Sequence, residues 1–402
     1  MSIPPLSVGP DGFPDGFLWG AATASHQVEG GNVNNHYWEW EHAPHTPFAE
    51  PSGDAVDHYH RWPEDLDLLA GAGFTAYRFS LEWSRIEPEE GELSLAALDH
   101  YRRMVDGCRE RGLAPVVTLN HFTTPRWFHR DGSWLGPKAG DRFARFTELA
   151  LPVVRDAELV LTLNEPNLAA CLPVLAAKAA RGEVIAGLPR PDQPLSEALL
   201  AAHRRSLEVL RGAGSPPVGI ALVGQEWIAE DGAHDEMAAH RAAMEDQFLN
   251  AAADCDFVGM QVYSCARIGH DGPVAPAPEL MTLAHLEYRP QALGASVRRV
   301  REVLPDVPIV VTENGIATAD DDQRIAYTDG SLRGLAAAMA DGADVRGYIH
   351  WSLMDNFEWF AGYAPTLGLI AVDRTTFART PKPSLAWLGA VARRNGVPAL
   401  VH

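Results

Sequence analysis

Eight short apolar runs recur along this 402-residue chain, and each ends in polar or aromatic residues. They cover residues 17–22, 75–80, 115–121, 159–164, 218–223, 257–263, 308–313 and 345–351. Helical patterns separate most of them, at residues 95–111, 141–154, 196–211, 237–252, 292–304 and 331–340. Because strands that are buried on both faces are almost continuously apolar, this alternation predicts a parallel sheet covered by helices.

Eight strand and helix repeats of about 50 residues each fill the whole length of the chain. That length favours a closed (β/α)8 barrel, the TIM barrel, over an open doubly wound sheet. No glycine-rich dinucleotide fingerprint follows any of the strands, and no Ser/Pro or Gly/Ser linker divides the chain. We therefore predict an α/β protein of a single domain, residues 1–402, with its active site at the C-terminal ends of the strands.

The balance of charge and the start of the sequence exclude several classes of protein. The 53 acidic and 33 basic residues give a formal net charge of -20, which repels nucleic-acid phosphates and anionic lipid headgroups. No apolar stretch reaches the roughly 18–20 residues that a membrane span needs. The first 60 residues contain no Lys or Arg, whereas a secretory signal begins with basic residues. The sequence predicts a cytoplasmic protein that binds neither nucleic acid nor membrane.

The cysteines and histidines give no sign of a metal site or a cofactor. Cys108, Cys171, Cys255 and Cys265 are widely scattered and form no CxxC pair, so we expect reduced and mostly buried thiols. The segment 57–60 contains two histidines that are two positions apart. Side chains at that spacing point to opposite faces of a strand and diverge on a helix. We therefore predict a protein that needs no metal or cofactor.

Two glutamates stand at strand ends, where a barrel carries its chemistry. Glu165 follows the fourth predicted strand, and Glu313 ends the seventh. Glycoside hydrolysis needs such a pair, because one carboxyl must be held protonated while the other stays ionised. A separation of about 5–5.5 Å between the two carboxyls leads to a covalent intermediate and to retention of configuration.

The sequence around these glutamates resembles glycoside hydrolase family 1, the retaining β-glucosidases and β-galactosidases. The resemblance covers nearly the whole chain. It is carried by the segments FLWGAATASHQVEG at 17–30, YRFS at 77–80, NEP at 164–166, TENG at 312–315 and WSLMDNFEW at 351–359. The family implies a (β/α)8 barrel and a retaining hydrolase that needs no cofactor.

The resemblance also implies a role for each residue at these positions. Glu165 corresponds to the general acid/base and Glu313 to the nucleophile. Arg78 and Tyr263 correspond to groups that keep the nucleophile ionised, since a cation and a phenol donor both favour the charged carboxylate. Asn164 corresponds to the donor that binds the sugar 2-hydroxyl.

A further set of residues matches the positions with which the family binds sugar. A pyranose has hydroxyls around an apolar face. Polar side chains can hydrogen-bond to the hydroxyls, and an aromatic ring can stack on the face. The set comprises Gln27, His121, Trp351, Glu358 and Trp359, together with two departures from the family, Phe122 in place of Trp and Gln261 in place of Asn. Because the charge of Glu358 would repel a 6-phosphate in a dry pocket, we expect unphosphorylated sugars.

The resulting expectation is a retaining β-glycosidase that hydrolyses β-glucosides, β-fucosides or β-galactosides, with a small-molecule β-glycoside or oligosaccharide as its partner. The same residues also fit a transglycosylase that uses the same intermediate, or a carbohydrate-binding protein without turnover. Only 95 residues separate Glu165 from Gln261, fewer than the family usually has. We therefore expect a more open aglycone side, and the sequence leaves the oligomeric state undetermined.

Overall fold

Eight parallel strands form a closed barrel in the computed structural model, which describes residues 12–183 and 185–398. They are β1 (Leu18–Ala22), β2 (Ala76–Ser80), β3 (Ala114–Asn120), β4 (Leu159–Asn164), β5 (Val218–Ala229), β6 (Phe257–Gly269), β7 (Ile309–Glu313) and β8 (Val345–Trp351). Each strand pairs with the next, and β8 pairs with β1 from Leu18↔Gly347 to Ala22↔Trp351. The predicted TIM barrel is confirmed.

One long helix follows each strand and packs on the outside of the barrel. The helices are α1 (His58–Ala72), α2 (Leu95–Glu110), α3 (Ala139–Val154), α4 (Gln193–Gly212), α5 (His234–Arg241 and Gln247–Ala252, joined by the π-helical turn Ala242–Asp246), α6 (Ala292–Val303), α7 (Asp321–Ala340) and α8 (Pro383–Arg394). Strand positions alternate between two cores. Val117 and Val160 pack towards the helices, whereas Val116 and Leu161 belong to a smaller cluster.

Most loops that run from a strand to its helix contain short elements of their own. They are the helices Ser25–Val28, His36–Glu41, Trp83–Ile86, Arg126–Arg130, Pro166–Ala169 and Leu172–Ala180, the 3₁₀ turns Ser133–Leu135, Pro278–Leu280 and Trp359–Ala361, and the strands Gly272–Pro273, Ile370–Val372 and Arg379–Pro381. These loops begin at the carboxyl ends of the barrel strands, so they build the walls of any site at that end.

Two strands and one helix are longer than the sequence pattern predicts. β5 and β6 continue past 223 and 263 and stay paired from Glu226↔Cys265 to Ala229↔Ile268. Helix α7 begins at Asp321, where the Asp320 side chain accepts from the backbone N–H of residues 322 and 323, and not near 331. The buried face of its first half is polar, with Arg324 and Thr328, so no apolar periodicity marks it.

The cysteines and the two histidines near residue 60 have ordinary structural surroundings. Cys108, Cys171 and Cys255 are buried free thiols and Cys265 is half-buried. The buried His58 lies 2.7 Å from Asp65 and 2.9 Å from the Tyr77 hydroxyl, while the exposed His60 pairs with Asp57. Within residues 12–183 and 185–398, no helix has the length and apolar character needed to cross a membrane.

Candidate active site

A cleft of about 610 Å³ opens at the carboxyl ends of the barrel strands, and the two predicted glutamates both line it. Glu313 is the last residue of β7, and Glu165 directly follows β4. The two strands are three places apart around the barrel. The carboxyls therefore approach one cleft from different sides, as an attack on one bond requires.

Glu313 is surrounded by hydrogen-bond donors. Its Oε1 accepts from Arg78 Nη1 at 2.5 Å and from Gln261 Nε2 at 2.9 Å, and its Oε2 accepts from the Tyr263 hydroxyl at 2.5 Å. Burial raises the pKa of Glu313, while the Arg78 charge and the Tyr263 hydroxyl oppose that rise. Donors of this kind stabilise the ionised carboxylate.

The loop after Glu313 comes very close to the last strand. The Asn314 carbonyl accepts from the backbone N–H of Trp351 at 2.9 Å. A Cβ atom on Gly315 would lie 2.0 Å from the Trp351 carbonyl oxygen, so only glycine fits there. This close approach explains the glycine two positions after Glu313, and it fixes the loop after Glu313 against Trp351.

Arg78 is held rigidly behind the cleft. It is fully buried and donates to the Thr118 hydroxyl at 3.1 Å, to the Thr312 carbonyl at 3.1 Å and to Asn164 Oδ1 at 2.5 Å. Sequence reasoning missed Thr118, although a polar residue within an apolar strand, two positions before Asn120, is a usable signal. The guanidinium is thus fixed in place to face Glu313.

Glu165 lies in a different environment. Its backbone is left-handed, with φ 46° and ψ 53°, and Pro166 begins the next helix. No hydrogen bond reaches its carboxyl from any residue in the described ranges. Burial and the charge of Glu313 both raise the pKa of Glu165 well above its usual value, and Arg78 only partly opposes this. Glu165 is therefore the carboxyl of the pair that holds the proton.

The predicted sugar-binding residues Gln27, His121, Phe122, Trp351, Glu358 and Trp359 all line the cleft. Gln27 Nε2 donates to Asn356 Oδ1 at 3.0 Å and to the Phe357 carbonyl at 2.8 Å. Gln27 Oε1 and His121 Nδ1 are buried polar atoms without a partner. Buried polar atoms normally have partners, so sugar hydroxyls would satisfy these two.

Arg78, Asn164 and Gln261 lie behind the cleft wall instead of lining it. The sequence places Gln261 in or beside the sugar subsite, and the structure places it next to Glu313. It is fully buried, and its Nε2 bridges Asn164 Oδ1 at 2.7 Å and Glu313 Oε1 at 2.9 Å. The strand register shifts between Met260 and Gln261, and Gln261 lies beside Glu313. Asn164 Nδ2 lies 3.2 Å from His121 Nε2.

The charge on Glu358 also differs from the expectation. Its Oε1 accepts from the Trp351 indole at 3.3 Å. Burial raises the pKa of Glu358 to about 8, despite that hydrogen bond. The carboxyl is therefore mainly neutral at pH 7, and charge repulsion by Glu358 develops only at higher pH.

Comparison with known proteins agrees with this geometry. The sequence model of Glycosyl hydrolase family 1 matches residues 10–260 and 245–397. The chain belongs to glycosyl hydrolase family 1. A relative in the same family, thermostable beta-glucosidase B of Thermobispora bispora, is 34% identical over 96% of this chain and 91% of that protein.

Two further family 1 proteins extend the comparison. The bifunctional beta-D-glucosidase/beta-D-fucosidase of Bifidobacterium breve is 31% identical over 93% of this chain and 97% of that protein. The beta-glucosidase from Thermotoga maritima in complex with deoxynojirimycin superimposes with a TM-score of 0.89 at 28% identity, over 96% of this chain and 100% of that one. The predicted family and the retaining β-glycosidase activity are confirmed.

Proposed function

We propose that this family 1 hydrolase cleaves unphosphorylated β-glucosides, and related β-fucosides and β-galactosides, with Glu165 as general acid/base and Glu313 as nucleophile. One observation carries the assignment. Glu313 accepts hydrogen bonds from three side chains, whereas the Glu165 carboxyl receives none from the described residues. Burial raises the pKa of both carboxyls, but the donors oppose that rise only at Glu313, so Glu165 is the one that keeps its proton more firmly. A retaining glycosidase requires this order.

The mechanism follows from these protonation states. The Glu313 carboxylate attacks the anomeric carbon while Glu165 gives its proton to the departing glycosidic oxygen. The bond from Glu313 to the sugar replaces the bond to the aglycone. In the second step Glu165, now ionised, takes a proton from water, whose oxygen attacks the anomeric carbon and releases Glu313. Two inversions leave the product with the β configuration.

The names of relatives support glucosides and fucosides among the proposed substrates. The Bifidobacterium breve protein acts as both a beta-D-glucosidase and a beta-D-fucosidase. Chromogenic aryl β-glycosides of glucose, fucose and galactose, assayed side by side, test the proposal directly. Release of the phenol from at least one of them is expected, and no release from any would contradict it. The cytoplasmic location predicted from the sequence stays a prediction.

Discrimination against phosphosugars is expected to depend on pH. Among the described residues, Arg267 is the cleft-lining cation, and Glu287 and Glu230 already bind it. A 6-phosphate would thus lack a partner, and an unpaired buried charge costs about 3–5 kcal/mol. We expect kcat/KM for an aryl β-glucoside to exceed that for its 6-phosphate by at least about a hundredfold at pH 7.

The pH dependence of the ratio between the two kcat/KM values isolates the effect of the Glu358 charge. As pH rises past about 8, Glu358 ionises and adds repulsion, so the preference for the neutral glucoside should grow. Loss of the Glu165 proton slows both substrates equally and cancels in the ratio. Glu358→Gln is the matched control and should remove the pH dependence. Comparable kcat/KM values for the two substrates would contradict the proposed pocket chemistry.

A further inference from the structure

The carboxyl of Glu165 depends on the backbone for its position. Among the residues that the structure describes, no donor forms a hydrogen bond to that carboxyl. The backbone of Glu165 is left-handed, with φ 46° and ψ 53°. At a residue other than glycine this conformation is unfavourable, and it persists only where the surrounding structure fixes it. The groups that hold the chain beside Glu165 therefore determine where its carboxyl lies.

Asn167, two positions after Glu165, attaches this segment to the neighbouring strand. Its side chain is fully buried and pairs with both backbone groups of Val223 on β5. Nδ2 donates to the Val223 carbonyl at 2.9 Å, and Oδ1 accepts from the Val223 N–H at 3.1 Å. The backbone of β4 ends at Asn164, which pairs with Ala221. The Asn167 amide thus continues the hydrogen bonding between β4 and β5 after the β4 backbone has turned away.

The same amide also reaches the helix that follows β5. Nδ2 donates to the Met244 carbonyl at 3.2 Å, and Met244 lies in the π-helical turn Ala242–Asp246 of α5. Turns of this kind inside helices are frequent at functional sites. Backbone groups from a strand and from a helix therefore hold the Asn167 side chain, and with it the turn that carries Glu165.

We propose that Asn167 is the positioning residue of the general acid/base, and that its three hydrogen bonds place the Glu165 carboxyl to protonate the leaving group. The inference rests on the proposed function, because it takes Glu165 to be that acid. Asn167 does not line the cleft, so it acts on the reaction through Glu165. Proton transfer requires the carboxyl to lie within hydrogen-bond distance of the glycosidic oxygen. A displacement of about 1 Å can slow a reaction about a hundredfold.

Aryl β-glucosides whose leaving phenols differ in acidity test the proposal. In Asn167→Ala, kcat/KM for phenyl β-glucoside should fall about thirtyfold or more, because its weakly acidic phenol needs the proton of a correctly placed Glu165. A dinitrophenyl β-glucoside needs little protonation, so its kcat/KM should change less than about threefold. A residue that only stabilised the fold would affect both substrates alike.

Two further variants separate positioning from a loss of stability. The Thr147 hydroxyl on α3 lies 2.8 Å from the Ser206 hydroxyl on α4, and both residues are buried outside the cleft. Thr147→Val also removes a buried hydrogen bond, so it should lower the melting temperature without dividing the two substrates. Asn167→Asp keeps the size of the side chain but loses the amide donor. It covers the case in which the alanine variant unfolds, and it should divide the substrates in the same direction.

A double variant tests whether Asn167 acts through Glu165. With a mononitrophenyl β-glucoside, Asn167→Ala should lower kcat/KM in the parent enzyme but cause no further loss in Glu165→Ala, because the group that it positions is already absent. An equal loss of kcat/KM in both backgrounds would overturn the inference. Equal effects on the phenyl and dinitrophenyl glucosides in a folded Asn167 variant would overturn it as well.

The Glu165→Ala variant distinguishes failure of this inference from failure of the proposed function. If Glu165→Ala divides the phenyl and dinitrophenyl glucosides and the Asn167 variants do not, only the positioning role is wrong. If Glu165→Ala does not divide them, Glu165 is not the acid, and both the proposed function and the inference are overturned.

Discussion

Glu313→Ala is expected to lower kcat for an aryl β-glucoside by at least about 10⁴-fold, because without a nucleophile no covalent intermediate forms. The variant also leaves the buried Arg78 without its carboxylate partner, so a lower melting temperature is expected. Circular dichroism checks that the barrel remains folded. Glu208→Ala, at an exposed glutamate outside the cleft, is the matched control and should behave like the parent.

Added azide makes the test of Glu313 more specific. In Glu313→Ala the anion has one displacement available, at the intact substrate, and should therefore give the α-glucosyl azide. Glu313→Gln, which keeps the size of the side chain, covers the case in which the alanine variant unfolds. Turnover within about tenfold of the parent in a folded variant would contradict the role of Glu313.

Glu165→Ala is expected to divide substrates by their leaving groups. An aryl glucoside with a very acidic phenol needs little protonation and should still glycosylate the enzyme, whereas an alkyl glucoside should fail. The intermediate should then accumulate, because no base remains to activate water. A burst of phenol followed by a slow steady state is the measurement that checks this.

Azide should restore turnover in Glu165→Ala and give the β-glucosyl azide, since the anion needs no base and completes the second of two inversions. The anomers from the two alanine variants thus form a matched pair. If the two variants gave the opposite anomers, Glu165 would be the nucleophile and Glu313 the general acid/base. If azide restored turnover in neither variant, the paired-carboxylate mechanism would be contradicted.

The barrel could be predicted from sequence because each of its strands is a local feature. Buried parallel strands are almost continuously apolar. The polar residues that end them, such as Asn164 and Glu313, marked the rim of the barrel. The prediction failed where structure depends on distant partners. The strand residues beyond 223 and 263 form neither a continuous apolar run nor a regular alternation, and they are strands because they pair with one another.

The same distinction holds within the site. Motifs located the two glutamates, but the place of Gln261 depends on a register shift in β6 that no single segment encodes. The pKa of Glu358 depends on burial by residues from several loops, so its charge could not be inferred from its type.

Glu313 is expected to carry a covalent glycosyl intermediate during each turnover. Incubation of the enzyme with an activated 2-deoxy-2-fluoro-β-glucoside, which slows the second step more than the first, followed by proteolysis and mass spectrometry, tests it most directly. We expect a stoichiometric label on the peptide that contains Glu313, and recovery of activity as the label is released. A label on Glu165 or elsewhere, or turnover that yields the α-anomer first without any label, would contradict it.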